Sequence, residues 1–291
     1  METKKIDQIN QENYIKDRLV QIKKEIEKAN TISIFIHINP DGDCISSGVA
    51  LCRAIRKLGK TAYVYLNETI PQKYCFLPYI EYIINTNTHP KNVDLSISVD
   101  TPILDRLGSA IATYLLAKKQ VMIDHHISRE KFADITCIDS NAAACAEIIY
   151  KLINMLKQMD DEIAELLFAG IVTDTGCFQF SNTTNKTLQI ASELREYNIN
   201  PQDIIYKTFS SMSKNIFELR TRVLSNLKFY ENDQVGIITF RKEDFQATDT
   251  DESNTEGIIS AVRNINCVKI AISICETNSN SWKISFRTND G

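Results

Sequence analysis

This sequence has no surplus of basic residues, no CxxC pair, no long apolar run, no internal repeat and no low-complexity tract. Each absence closes a class of function. Its 33 Lys and Arg stand against 37 Asp and Glu, a formal net charge of -4 over 291 residues. Gripping long duplex nucleic acid through its phosphates needs a basic track, which this balance does not supply. The 8 cysteines follow no regular spacing, which disfavours a zinc ribbon or a disulfide framework and favours a reducing, cytoplasmic compartment. Cys44, Cys52, Cys145, Cys177 and Cys275 sit in apolar stretches and read as buried thiols. No stretch approaches the roughly 20 apolar residues of a spanning helix, and the N-terminal segment is too charged for a signal peptide. The expectation is a soluble globular chain, with no membrane partner, divided into two domains.

Apolar periodicity then orders the chain. A helix is expected over about Gln11 to Ala29, with Ile15, Leu19, Ile22 and Ile26 on one face. Short apolar runs at Ile32–His37, Thr61–Leu66, Leu95–Asp100 and Gln120–Asp124 read as strands. Helical spacing fills Cys44–Leu58, closed by Gly59, then Asp105–Lys119, Asn141–Leu156 and Asp161–Val172. Alternation of strand and helix predicts an α/β fold, with a parallel sheet carrying helices on both faces. Thr184–Leu227 reads as helical. From Lys228 onward, strands at Val235–Phe240, Cys267–Cys275 and Trp282–Arg287 surround one helix, about Thr255–Ile265. The expected boundaries are a first domain at 1–185, a helical connector at 186–227 and a smaller α/β domain at 228–291.

The chemistry is concentrated in four segments: His37-Ile-Asn-Pro-Asp41-Gly-Asp43, Val99-Asp100-Thr101, Asp124-His125-His126 and Thr173-Asp174-Thr175. Together they hold three of the 4 histidines and five aspartates. The fourth, His89, lies in a polar Asn-Thr-His-Pro stretch and reads as a surface loop. So many imidazoles and carboxylates beside apolar segments call for cations to neutralise them. His37, Asp100 and Asp124 fall at the carboxyl ends of expected parallel strands, where ligands collect. Asp41 and Asp43 flank Gly42, which gives the backbone freedom to bend so that both carboxylates face neighbouring ions. Mixed imidazole and carboxylate donors suit divalent transition ions. Four aspartates and two neutral histidines roughly balance two such ions, which about 4 Å apart activate a water and clamp phosphoryl oxygens in phosphoester hydrolysis.

These motifs, in this order over about residues 30 to 185, resemble the DHH phosphoesterase family, and the last portion is similar to its DHHA1-type substrate domain. The plan looks most like the family's small bacterial enzymes that degrade short oligoribonucleotides and dephosphorylate 3′-phosphoadenosine 5′-phosphate. The resemblance implies two divalent cations, with Mn²⁺ the expected ion. His37, Asp41 and Asp100 would hold one; Asp43, Asp100, His125 and Asp174 the other. It implies that His126 faces the scissile phosphate as hydrogen-bond or proton donor, that Asp124 orients a neighbouring group, and that Arg287 binds substrate from the second domain. Short oligonucleotides and nucleotides are the implied partners, and a homodimer is left open.

Three departures stand beside the resemblance. Ser46-Ser47 replaces the usual glycine and serine, Gln179 stands where relatives often carry arginine, and relatives continue past the position of Gly291 into a glycine-rich GGGH segment. The second domain is therefore expected to be incomplete. Alternatives are a linear or cyclic dinucleotide phosphodiesterase, a family II pyrophosphatase, and a nucleotide-binding module with impaired turnover.

Overall fold

The computed structural model describes residues 2–85, 92–127, 130–255, 257–277 and 281–288. It divides into two compact units, Met1–Ser210 and Ser211–Gly291. The first is built on six strands: β1 (Thr31–Phe35), β2 (Thr61–Tyr65), β3 (Ile83–Ile84), β4 (Leu95–Val99), β5 (Lys119–Asp124) and β6 (Ile135–Ile138). They pair in the order β3-β2-β1-β4-β5-β6, every pair parallel. The helices of this unit are α1 (Glu2–Lys28), α2 (Gly42–Lys57), α3 (Ile111–Tyr114), α4 (Cys145–Leu156), α5 (Asp161–Asp174), α6 (Asn185–Leu194) and α7 (Pro201–Ile205).

Alternation along β1 sends successive side chains to opposite faces. Ile32 and Ile34 join one core cluster with residues of α1, α2, α4 and α5. Phe35 joins a second cluster with Tyr65, Leu107, Ala110 and Tyr114. There the Phe35 ring stacks on Tyr65 at 5.1 Å and meets Tyr114 edge-on at 5.4 Å. Helix α1 is tied down by Ile15, Leu19, Ile22 and Ile26, all buried, each contributing about 1.5–3 kcal/mol. Helix α2 packs against both α4 and α5 and is buried along nearly its whole length. Gly59, at φ 77°, follows its end and lets the Gly59 and Leu58 amides reach the Arg56 and Ile55 carbonyls.

Asp105–Lys119 departs from its helical expectation. A 3₁₀ helix, Leu104–Ala110, broken by Gly108 at φ 54°, leads into the four-residue α3 before β5 begins. The start of α4 also moves, from Asn141 to Cys145, because the preceding turn is used elsewhere: Ala143 N–H donates to Glu147 Oε1. Strands β3 and β6 were too short to be read from apolar periodicity. Among the described residues no helix is long and apolar enough to cross a membrane.

The second unit contains α8 (Lys214–Ser225), β7 (Lys228–Tyr230), β8 (Val235–Phe240), α9 (Lys242–Thr248), α10 (Ile258–Arg263), β9 (Ile270–Glu276) and β10 (Trp282–Thr288). Its sheet order is β10-β9-β8-β7, with β8 and β9 parallel and the outer pairs antiparallel. Leu219, Val223, Ile238, Phe240 and Val262 are central to its core. One helix was expected here; α9 is a further one. Its start is fixed by Asp244, which accepts from the Arg241 N–H and pairs with Arg222.

Candidate metal centre

The order of the six-stranded sheet reverses between β1 and β4, so a crevice opens beyond the carboxyl ends of these neighbours. His37 follows β1, Asp100 is the first residue after β4, and Asp124 ends β5 with His125 and His126 behind it. Asp43 lies in the first turn of α2, with Asp41 as its N-cap, and Asp174 ends α5. Three overlapping groups bring donor atoms within 4.8 Å of one another: His37, Cys44 and Asp100; Asp100, His125 and His126; Asp43, His125 and Asp174.

Asp100 is the hinge of the cluster. His37 Nε2 stands 3.8 Å from its Oδ2, and His125 Nε2 is 3.3 Å from its Oδ1. The residue is buried at φ 53°, a left-handed conformation that costs a non-glycine residue energy and recurs at functional sites. Its amide donates to the Ile123 carbonyl at 2.9 Å, which pins it against β5. On one side, Asp41 Oδ1 caps α2 by accepting from Cys44 N at 3.0 Å, leaving Oδ2 3.9 Å from His37 Nε2. On the other side, Asp174 Oδ2 lies 3.3 Å from His125 Nε2. Both imidazoles turn Nδ1 toward a backbone carbonyl, Ile38 for His37 (2.8 Å) and Ala142 for His125 (3.2 Å). A neutral ring that donates there turns the Nε2 lone pair toward the carboxylates once a cation takes it up, the usual arrangement of a metal-ligating histidine.

Asp43 has a second task. It accepts from Ala146 N at 3.0 Å and from Ser47 Oγ at 3.1 Å, and its other oxygen accepts from Cys145 N. Helix α4 has no side-chain cap of its own, so Asp43 supplies one from α2. Gly170 makes the approach feasible: a Cβ there would lie 2.8 Å from Asp43 Oδ1 and 2.9 Å from Ala146 Cβ. Gly42 plays a different part from the one expected. It is the first residue of α2, and its small size matters because a Cβ would come within 2.3 Å of the Thr173 side chain.

The electrostatics are those of a site short of positive charge. Burial, then the Asp100 and Asp174 carboxylates, push Asp43 well above the carboxylate range. Burial raises Asp174 to about 7. His125 is held up at about 10: burial opposes its charge, but the Asp100 hydrogen bond and the Asp43, Asp100 and Asp174 charges outweigh it. Asp100 is lowered because His125 more than offsets its own desolvation. Protons thus do the neutralising that divalent cations can do, and Asp124 Oδ2 is buried without a hydrogen-bond partner. The donor set and its two-lobed arrangement fit divalent metal binding.

Asp124 is fully buried and holds His126 Nδ1 at 2.9 Å from its Oδ1. That bond raises the His126 pKa, and the side chain, 46% exposed, is left with Nε2 open. Arg287 belongs to the second unit, exposed on the edge strand β10, with Nη1 donating to the Phe286 carbonyl at 2.9 Å. Cys44 joins the His37 group unexpectedly. Burial pushes its thiol well up, so it stays protonated, close to the Val99 carbonyl at 3.8 Å. Cys177, read as buried, is only half-buried, and His89 lies outside the described residues. Two neighbours had no signal in the motifs. Asn182 donates to the Ala143 and Asp174 carbonyls, and Arg106 touches His37.

Comparison with known proteins agrees with this geometry. Residues 31–171 match the DHH family, N-terminal domain. The bifunctional oligoribonuclease and PAP phosphatase NrnA of Bacillus subtilis is 25% identical over 272 residues, which cover 92% of this chain and 84% of that protein. The Thermus thermophilus protein of the same name is 32% identical over 219 residues, covering 74% of this chain and 64% of the relative. A solved exopolyphosphatase-related protein from Bacteroides fragilis superposes with a TM-score of 0.88 at 25% identity, covering 94% of this chain and 83% of its own. Within the first unit, residues 31–171 are thus similar to the N-terminal domain of the DHH family.

Proposed function

We propose that this chain is a phosphoesterase that hydrolyses short oligoribonucleotides to mononucleotides and 3′-phosphoadenosine 5′-phosphate to AMP. The observation that carries the reading is Asp100, shared between a His37–Asp41 lobe and a His125–Asp174 lobe. The names of the relatives support the substrate class. Two divalent cations, Mn²⁺ the expected ion, would be held by His37, Asp41 and Asp100 and by Asp43, Asp100, His125 and Asp174. Bound there, they supply charge neutralisation for the phosphoryl oxygens and a lowered pKa for the attacking water.

The protein's own groups do the rest. His126, held by Asp124, presents Nε2 to the leaving oxygen. As water oxygen bonds to phosphorus and the phosphorus–oxygen ester bond breaks, that nitrogen gives its proton to the departing alkoxide oxygen, which leaves as a hydroxyl. It recovers one from the water consumed. In the second unit Arg287 offers a planar guanidinium to a phosphate or a base. We assign residues 1–185 to catalysis and the second unit, with α8 in its core, to substrate binding, in a cytoplasmic enzyme.

The test is parallel turnover of a linear dinucleotide, 3′-phosphoadenosine 5′-phosphate, pyrophosphate and a cyclic dinucleotide by the Mn²⁺-loaded protein. Mononucleotides and AMP are the expected products. Pyrophosphate hydrolysis alone, cleavage of the cyclic substrate alone, or tight nucleotide binding with no turnover, would each overturn the reading.

A further inference from the structure

Arg106 stands beside the cluster with no task yet assigned. Its backbone carbonyl accepts from Ile38 N at 2.8 Å, which fixes the 3₁₀ segment against the loop that carries His37. Its Nη2 is 2.7 Å from His37 Nδ1, and its Nε is buried with no hydrogen-bond partner. Among the described residues no carboxylate pairs with this guanidinium. A buried charged donor left unmatched is costly, so an acceptor is missing from its surroundings.

The Nδ1 contact is also conditional. That nitrogen lies 2.8 Å from the Ile38 carbonyl and 2.7 Å from Arg106 Nη2. It must carry a proton to serve the first and a lone pair to serve the second. When Nε2 of a neutral imidazole gives its lone pair to a cation, the proton sits on Nδ1 and Ile38 takes the bond. Arg106 then loses its acceptor at Nη2 while Nε is still unmatched. Two N–H donors of one planar fork are released together, at the rim of a site that has just gained positive charge. The group that matches both donors is a tetrahedral oxyanion, which guanidinium binds in bidentate fashion.

We infer that Arg106 is a phosphate-binding residue of this site, switched by His37 from holding an imidazole to gripping the substrate's phosphoryl oxygens. The inference rests on the phosphoesterase reading and adds to it a first-unit cation that reads the phosphate directly. The site thereby favours a substrate whose phosphate keeps two free oxygens on one side.

The test uses the full chain, its Arg106→Ala and Arg106→Lys variants, and orthophosphate as the probe. Calorimetry gives Mn²⁺ affinity first, then phosphate affinity of the Mn²⁺-loaded protein; kinetics with a linear dinucleotide give KM. In Arg106→Ala, Mn²⁺ affinity should be retained, while phosphate affinity falls and KM rises at least about tenfold. Arg106→Lys keeps a charge but not the fork, and should fall between the two; it decides the matter if the alanine variant does not fold. Unchanged phosphate affinity in either folded variant overturns the inference. So does a loss of Mn²⁺ affinity in both, which would make Arg106 a support for His37. If wild-type protein binds phosphate but cleaves no phosphoester, the activity reading fails, and phosphate affinity still decides the role of Arg106.

Discussion

Gly170→Ala sets two physical terms against each other. Alanine in a helix interior is favoured over glycine by about 1 kcal/mol, so propensity alone would make the variant more stable. The added Cβ would meet Asp43 Oδ1 at 2.8 Å and Ala146 Cβ at 2.9 Å, both below any ordinary carbon contact. Neither neighbour is the free end of a flexible chain. Asp43 is held by two amides and Ser47, and Ala146 lies in the first turn of α4. Overpacking of this kind costs about 1–3 kcal/mol, so the net effect is about 0–2 kcal/mol of destabilisation. For a unit of this size each kcal/mol lowers Tm by about 2–4 °C. The sharper readout is metal affinity, because the carboxylate that must move is a proposed ligand. A thermal scan of metal-free protein should show a fall of up to about 8 °C. A Mn²⁺ titration should show affinity weakened by about tenfold, the equivalent of 1.4 kcal/mol. A variant that melts higher than wild type and binds Mn²⁺ equally well would refute this packing argument.

Further outcomes follow from the charges. In metal-free protein, Asp174 at about 7 and His125 at about 10 both lie above their unfolded values. Their contribution to stability is complete at low pH and is lost as pH rises, through about 7 for Asp174 and about 10 for His125. Mn²⁺ must displace those protons, so the Tm gain on adding it should be larger at pH 8 than at pH 5.5. Proton release should appear in calorimetry as a dependence on buffer ionisation enthalpy. Chelation should abolish turnover and lower Tm, and Mn²⁺ at about 100 times its Kd should restore about 2.7 kcal/mol. Asp124→Asn removes the negative charge behind the bond that raises His126, so the alkaline limb of the kcat profile should move to lower pH, with Mn²⁺ affinity unchanged. An unmoved limb would remove His126 from the proton-donor role. Arg287→Ala should raise KM for a dinucleotide without altering Mn²⁺ binding, measured by steady-state kinetics and titration.

The acidic and imidazole segments were legible because each terminates an apolar run, and the parallel sheet delivers run ends to one edge. Arg106 was not legible. Its proximity to His37 depends on β1 and β4 being neighbours across the reversal of strand order, which no local spacing encodes. The start of α4 was misplaced for a related reason: Asn141–Ala144 is apolar enough for a helix, but its carbonyl at Ala142 is needed by His125. Gly42 looked like a flexible joint because Asp-Gly-Asp is common in turns. Its constraint comes from Thr173, 131 positions away in the sequence, and is one of volume. Helix α9 escaped notice because its seven residues are too few to display a period.

Asp43 lies in the first turn of one helix and caps another, whose first residue stands 102 positions further on. The start of α4 therefore rests on a carboxylate borrowed from another helix, and it brings a partial positive charge of roughly half an electron. The main chain itself thus contributes to the field of the crevice. An Asn at position 43 could not ionise when a cation displaces the proton, so the α4 start would face the cation with no anion between them. Such a variant should loosen its hold on cations.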